Sequence, residues 1–383
     1  MLQYTRNNHY LYIMTDKKEQ IAFFLQNQIL VTPQRLRNYT EDGKGEEYPK
    51  RHVFVKIQKY VDDYIKGNKE QRWIIIPGLR GVGKTTLLSQ IYFYITGSFE
   101  KLDKRKIIYI SMDEVKNLLD VPLNELLEVY FEILRTKIEE LNAPIFLLLD
   151  EVQYDPSWAK IIKTLWDKTK NLFILCSGSS AISLQTNPDV ARRSVFEKVY
   201  PVSFGEFLMI KYKIYPEPSL KKELKRSIYG FTKVEDAFIA LKKIESKALF
   251  SWAKAPRFAQ LEYLETGTLP FAINAPNKEQ VYDTIDQLLD KIISKDIQSL
   301  GKFDSDTLGI IKRILYIVAE SDTVSFNKME QLLPIRRITI MNVFDVLEKA
   351  ELLIRVSAYG ANTTGAKKPT KYLIKSPVIR QAL

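Results

Sequence analysis

The sequence is poor in the residues that carry redox and metal chemistry. One cysteine, Cys176, stands among 383 residues, so no intrachain disulfide can form. The two histidines, His9 and His52, both lie near the start. A histidine-rich metal site and a Ser-His-Asp triad deep in the chain are therefore excluded. No apolar run approaches the roughly 20 residues needed to span a bilayer; stretches such as Ile145 to Leu149 are far shorter. The first ten residues, MLQYTRNNHY, lack the basic-then-apolar plan of a secretory leader, and the expected location is the cytoplasm. Acidic residues are missing from 352–383, which holds six Lys/Arg.

What is present is ordinary globular material. The chain is 45% hydrophobic and 27% charged, which excludes wholesale disorder and leaves enough apolar surface for a sizeable core. Its length predicts two or three domains. Fifty-seven Lys+Arg against 46 Asp+Glu give +11, a balance that favours anionic partners: a nucleotide, a nucleic acid or an acidic protein.

Residues 1 to about 50 read as polar and mixed, with a charged loop at 41–49. A helix follows, with Val53, Ile57, Tyr60, Val61 and Tyr64 at helical spacing and Gly67 just beyond it. Apolar strands are then predicted at Trp73–Ile76, Ile107–Met112, Ile145–Leu149, Leu172–Cys176 and Val199–Val202, separated by helix-length segments. That alternation predicts an α/β fold, a parallel sheet with helices on both faces. From about residue 208 the alternation stops, and 220–300 is helix-prone and Lys-rich. The last 75 or so residues read as three helices (306–320, 325–333 and about 336–350), then strands near 352–358 and 371–375 around the loop GANTTGAKKPT. This is the order of a winged helix.

The strongest motif is Gly78-Leu79-Arg80-Gly81-Val82-Gly83-Lys84-Thr85-Thr86. It has the spacing of a phosphate-binding loop between a strand and a helix. Glycines let the backbone curl so that its N–H groups face phosphate oxygens, and the following helix adds its positive end. Lys84 supplies a charge for the terminal phosphates, and Thr85 a hydroxyl for Mg²⁺. Asp150, at the end of a buried strand, is the second expected Mg²⁺ ligand, and Glu151 beside it the expected general base. The turn after the next strand offers Ser177 or Ser179 to sense the γ-phosphate or hold the lytic water. Arg192 and Arg193 are candidates to neutralise transition-state charge, in cis or from a neighbouring subunit. The expected ligands are thus ATP and Mg²⁺. Asn277-Lys278-Glu279-Gln280 lacks the aspartate of a guanine-binding motif, so GTP has no support. At the front of the third C-terminal helix, Arg336, Arg337, Thr339 and Asn342 are placed to meet DNA bases, with Lys367, Lys368 and Lys371 on phosphates.

With GLRGVGKTTLL from 78, IYISMDE from 108, IFLLLDEVQ from 145, ILCSGSSAISL from 174, ARRSVFEKVYPVSFGEFL from 191 and GTLPFAI from 267, the chain resembles bacterial and archaeal P-loop ATPases of the AAA type. Within these it is similar to archaeal-type ATPases with a C-terminal winged helix, relatives of the signal-transduction ATPases. The resemblance implies ATP binding with Mg²⁺ and slow hydrolysis, carries over Lys84, Thr85, Asp150 and Glu151, and suggests a nucleotide-sensing role for Arg192 or Arg193. Many such relatives continue into a nuclease-like domain that opens with Lys-Tyr, two apolar residues and an acid. Here Lys371-Tyr372-Leu373-Ile374-Lys375-Ser376 lacks the acid, and no nuclease activity is carried over. The expected organisation is an N-terminal extension (1–49), the ATPase domain (50–210), a helical lid or linker (211–300) and a winged helix (301–383). Two readings stay open: nucleotide-controlled DNA binding, or a nucleotide-gated switch that binds a protein partner.

Overall fold

The computed structural model describes residues 16–99, 102–179, 188–215, 217, 219–301, 303–321, 323–357 and 371–383. Five parallel strands form the central sheet: β1 (Trp73–Pro77), β2 (Ile107–Ser111), β3 (Ile145–Asp150), β4 (Leu172–Gly178) and β5 (Val195–Phe196), in the order β2-β3-β4-β1-β5. Strands β1, β3 and β4 are buried along their whole length, which is why they read as continuous apolar runs. Side chains alternate between two cores. Ile74, Ile76, Phe146, Leu148, Phe173 and Leu175 face one side with α2 (His52–Ile65) and α3 (Lys84–Ser98). Trp73, Ile75, Leu147, Leu149, Ile174 and Cys176 face the other with α4 (Met112–Leu118), α5 (Leu123–Ile133) and α6 (Trp158–Lys168). Cys176 is fully buried in that second core, and burial pushes its thiol up to about 12, so it is an inert packing residue.

Two sequence expectations need correction. The polar stretch before residue 50 contains a 24-residue helix, α1 (Lys17–Thr40). Its buried positions, Ile21, Phe24, Leu25, Gln28, Thr32 and Leu36, recur every three or four residues. Gln28 and Thr32 interrupt the apolar stripe, and Pro33 lies inside the helix, which hid the pattern. The helix packs along the edge strand β2, α3 and α5, so it is part of the sheet's cover. The fifth strand is Val195–Phe196, paired to Ile74 and Ile75, rather than Val199–Val202. The Val199 N–H does donate to Pro77 O, but the Val202 N–H is taken by Thr268 O of the helical region, and Pro201 has no N–H to pair.

Beyond β5 come α7 (Phe204–Tyr212), a hairpin of α8 (Leu220–Tyr229) and α9 (Val234–Ala253), a short α10 (Pro270–Ile273), and α11 (Lys278–Lys291), which runs on into a π-helical turn at Ile292–Ile297. The C-terminal elements are α12 (Ser305–Glu320), α13 (Phe326–Leu332), α14 (Arg337–Lys349), the antiparallel pair β6 (Leu353–Val356) and β7 (Lys371–Ile374), and α15 (Pro377–Ala382). One apolar core runs from the α2/α3 face of the sheet through Leu269, Ile285 and Ile292 to Ile314, Phe344 and Ile379. A buried hydrogen bond of 2.7 Å between the Thr268 and Ser376 hydroxyls ties the last helix to the segment before α10.

Candidate nucleotide site

The strand order sets the site. β4 lies between β1, which leads into the phosphate loop, and β3, which ends at Asp150, so three strand ends meet at one carboxyl edge. The register is specific: Ile76 is level with Ser177, and Leu149 with Cys176. At the loop, a Cβ on Gly78 would stand 2.6 Å from the Val199 carbonyl oxygen, so only glycine fits there. Gly83 has φ +92° and immediately precedes α3, a conformation other residues adopt at a cost.

Lys84 is 5% exposed. Its ammonium donates to Gly78 O at 3.0 Å and Leu79 O at 3.2 Å, and lies 3.9 Å from Glu151 Oε1. Arg80 and Thr86 are half-buried, Leu79 and Val82 buried, and Gly81 exposed. Asp150 is the hub. Thr85 Oγ1 donates to its Oδ2 at 2.7 Å, Tyr109 OH to the same oxygen at 2.9 Å, and Ser177 Oγ to Oδ1. The Glu151 N–H in turn donates to Ser177 Oγ at 3.2 Å. Burial, and then the charge of Glu151, hold the Asp150 carboxyl above its ordinary range, although the Ser177 and Thr85 hydrogen bonds pull the other way. Burial also pushes Glu151 up, but Lys84 and Arg80 outweigh it and the net direction is down. Glu151 is held at φ +53°, and the Gln153 side-chain amide donates to its Oε2.

The residues fit a Mg²⁺–phosphate group. A buried carboxylate and a threonine hydroxyl suit a hard divalent cation. Among the described residues, no cluster of three or more His, Cys, Asp or Glu is placed to hold a metal alone. At the same edge Ser179 Oγ is buried and has no hydrogen-bond partner among the described residues, as a group awaiting a ligand would.

The helical region covers the loop. A Cβ on Gly81 would lie 3.2 Å from the Phe271 ring, and one on Gly83 would lie 3.5 Å from Pro270 Cγ. Arg80 pairs with Asp296 of the π-helical turn through two hydrogen bonds, 2.8 and 3.2 Å, and Lys295 reaches Tyr154 OH at 3.1 Å. Arg51 holds the loop from behind, donating to Val82 O at 2.7 Å while paired with Glu206. Sequence reasoning missed Arg51, Tyr109, Gln153 and Asp296. Tyr109, Gln153, Pro270 and Phe271 fell in quoted segments with no role attached to them, and Arg51 and Asp296 fell in none.

Arg192 and Arg193 are elsewhere. They flank a cleft with Gly67–Arg72 and Lys168–Lys170, at the amino end of the strands. Arg193 pairs with Asp167 at 3.0 Å and lies over the Trp166 ring; Arg192 is exposed. The five residues of β1, about 16 Å of strand, separate that end from the phosphate loop. That spacing speaks against a role in cis for either arginine.

At the C-terminal module, Arg336, Arg337 and Asn342 are exposed at the front of α14, with Thr339 half-buried, and Lys371 opens β7. Lys367 and Lys368 lie outside the described residues, as does the loop that carries them. The basic tail is partly spent inside the fold. Lys375 is paired with Glu351, and Arg380 donates to Ala319 O at 3.1 Å.

Comparison with known proteins gives the chain its relatives. Residues 70–208 match a family described as an AAA domain, and residues 257–379 match a domain of unknown function, DUF8612. The uncharacterized protein MJ1637 of Methanocaldococcus jannaschii is 35% identical over 385 residues, covering 98% of this chain and 75% of that protein. The chain belongs to the MJ1637 family. An uncharacterized protein of Haemophilus influenzae is 24% identical over 347 residues, covering 86% of this chain and 73% of its own length. Among solved structures, the Aeropyrum pernix ORC1 protein in complex with DNA aligns with 86% of this chain and 90% of its own, at 11% identity and a TM-score of 0.35. Overall likeness at that level is loose and adds nothing to the site. The AAA match and the parallel sheet make this a P-loop, nucleotide-binding α/β domain followed by a helical C-terminal region.

Proposed function

We propose that the protein is a Mg²⁺-dependent ATPase whose nucleotide state is passed to its C-terminal module. The observation that carries this reading is the convergence of Lys84, Thr85, Asp150, Glu151 and Ser177 at one carboxyl edge, closed over by Arg80–Asp296. Backbone N–H groups of Gly78–Thr86 cradle the phosphates, and Lys84 turns its ammonium from the loop carbonyls to the β and γ oxygens. Thr85 and Asp150 would hold Mg²⁺, which would offset phosphate charge there. Glu151 takes a proton from water as its oxygen bonds to the γ-phosphorus and the bond to the β–γ bridging oxygen breaks, releasing ADP and phosphate. Ser177 joins Asp150 to the backbone of Glu151, and so fixes base and metal ligand together. Arg192 or Arg193 then serves a neighbouring subunit. Phosphate release assayed with Mg²⁺ and with EDTA tests the whole: activity in EDTA equal to that in Mg²⁺ refutes it.

We assign the chain an N-terminal extension (1–49), an ATPase domain (50–210), a helical lid or linker (211–300) and a winged helix (301–383). The lid grips the loop through Asp296 and the last helix through Thr268, which supplies a mechanical route between them. Asp296→Asn should cost about 2–3 kcal/mol of stability, because it leaves Arg80 poorly compensated in a half-buried setting. It should keep ATP binding but make limited-proteolysis patterns the same with and without ATP. Patterns that still change on ATP addition would show that the pair carries no coupling.

The winged helix is read as a DNA-binding module, with Arg336, Arg337, Thr339 and Asn342 toward bases and Lys367, Lys368 and Lys371 toward phosphates. Duplex affinity should fall steeply with salt, Lys367→Ala with Lys368→Ala should flatten that slope, and Arg336→Ala should alter sequence preference. A gel-shift series over several salt concentrations decides. The absence of any duplex binding at low salt, with or without ATP, favours the second reading, a protein-binding switch. One observation supports that alternative: the same module also exposes Ile338, Met341, Ile354 and Val356.

A further inference from the structure

The α8–α9 hairpin buries almost nothing. α9 has no buried residue in its 20 positions, and α8 has only Ser227. The two helices pair antiparallel, with Lys247 bonded to Glu223 near the base. The Trp252 ring meets Phe204 at 5.9 Å, where the arm joins the body. Leu249, Phe250 and Trp252 are exposed near the base, and the far end is apolar as well. Ile228, Tyr229, Phe231, Val234, Phe238 and Ile239 are all exposed there, Tyr229 and Val234 at 79%. Single exposed apolar residues are ordinary, but six at one hairpin turn are not.

Behind this tip the arm is basic. Residues 219–257 hold ten Lys/Arg against four Asp/Glu. Lys221, Lys222, Lys225 and Arg226 lie on α8, and Lys242 and Lys243 on α9, each within a few turns of the apolar end.

The geometry points to an anionic lipid surface as the ligand of this hairpin. The apolar side chains protrude from a convex turn, as insertion into the boundary between headgroups and acyl chains requires, and the lysines behind them are placed to reach lipid phosphates. Charge opposes the alternatives built from this chain: a second copy would bring another basic arm against the first. DNA offers the anionic charge but no apolar layer for two phenylalanines, a tyrosine and three aliphatic side chains. The attachment is peripheral, since among the described residues no helix is long and apolar enough to cross a membrane.

Flotation of the full chain with vesicles tests this. Wild type should float with mixed phosphatidylglycerol–phosphatidylcholine vesicles, scarcely with phosphatidylcholine alone, and less as salt rises. Phe231→Ser with Phe238→Ser should weaken binding at least about tenfold, through lost apolar insertion. Lys242→Glu with Lys243→Glu should do the same through charge. Both variants should keep their far-ultraviolet circular dichroism and their ATP affinity, since the arm lies outside the nucleotide site. Wild type that fails to float with anionic vesicles overturns the assignment and leaves the tip to a protein partner. So do variants that float as well as wild type. Sedimentation showing wild type self-associated without vesicles, and the phenylalanine variant monomeric, would overturn it in favour of a second copy.

Discussion

Lys84→Ala should weaken ATP binding at least about a hundredfold, the loss expected from removing charge-assisted hydrogen bonds to phosphate. Isothermal calorimetry with Mg²⁺-ATP reads the effect. The side chain is buried and holds two loop carbonyls, Gly78 O and Leu79 O, so part of any change will come from the loop itself. A thermal melt separates the two: the variant should still unfold cooperatively, with its sheet cores untouched. Lys84→Arg keeps the charge but not the compact ammonium, and should recover binding only in part. Unchanged affinity in Lys84→Ala would remove the phosphate loop from the nucleotide site altogether.

Glu151→Gln should keep ATP affinity within a few-fold and lower steady-state phosphate release about 10²–10⁴-fold, the range for loss of a general base. The carboxylate is well suited to that work. It is held ionised by Lys84 and Arg80 against the effect of burial, and the Gln153 amide fixes its orientation. Its left-handed backbone turns the side chain out of the strand line just after Asp150. The amide isostere keeps this shape and removes the basic oxygen, so a fall in turnover without a fall in binding isolates the proton transfer. If phosphate release is undiminished, the base is another group. Gln153→Ala is a useful companion, because it should reduce turnover less than Glu151→Gln while leaving the carboxylate in place.

The phosphate loop was legible because local chemistry dictates it. Gly78, Gly83, Lys84 and Thr85 need only a strand before them and a helix after them, and both were written in the apolar periodicity. The ends of β3 and β4 were legible for the same reason: a strand buried on both faces must be apolar throughout and must stop where a polar residue first tolerates the edge. The sequence therefore determined that Asp150, Glu151 and Ser177 lie at strand ends. It did not determine that these strands are neighbours. That came from the order β2-β3-β4-β1-β5, which brings Ser177 onto Asp150 and sets Tyr109, 41 residues away in sequence, on the same carboxylate.

The less legible parts share one cause, competition between distant segments for the same group. Val199–Val202 reads as a strand, yet its hydrogen bonds are divided between Pro77 and Thr268. The tail after Leu352 reads as uniformly basic, yet Lys375 and Arg380 are consumed by Glu351 and the Ala319 carbonyl. Arg192 and Arg193 follow the Ser177–Ser179 turn closely in sequence, yet they lie in a cleft with Lys69, Glu70 and Lys168–Lys170, at the amino end of the strands. Helix α1 hid because its buried stripe passes through Gln28 and Thr32, whose polarity is tolerated only where folding brings up partners, such as Glu114 for Gln28. The sequence by itself thus determined the phosphate loop and the strand ends that bear the site. The tertiary structure alone decided which side chains close over it, since pairing such as Arg80 with Asp296, 216 residues apart, depends on packing that no local pattern encodes.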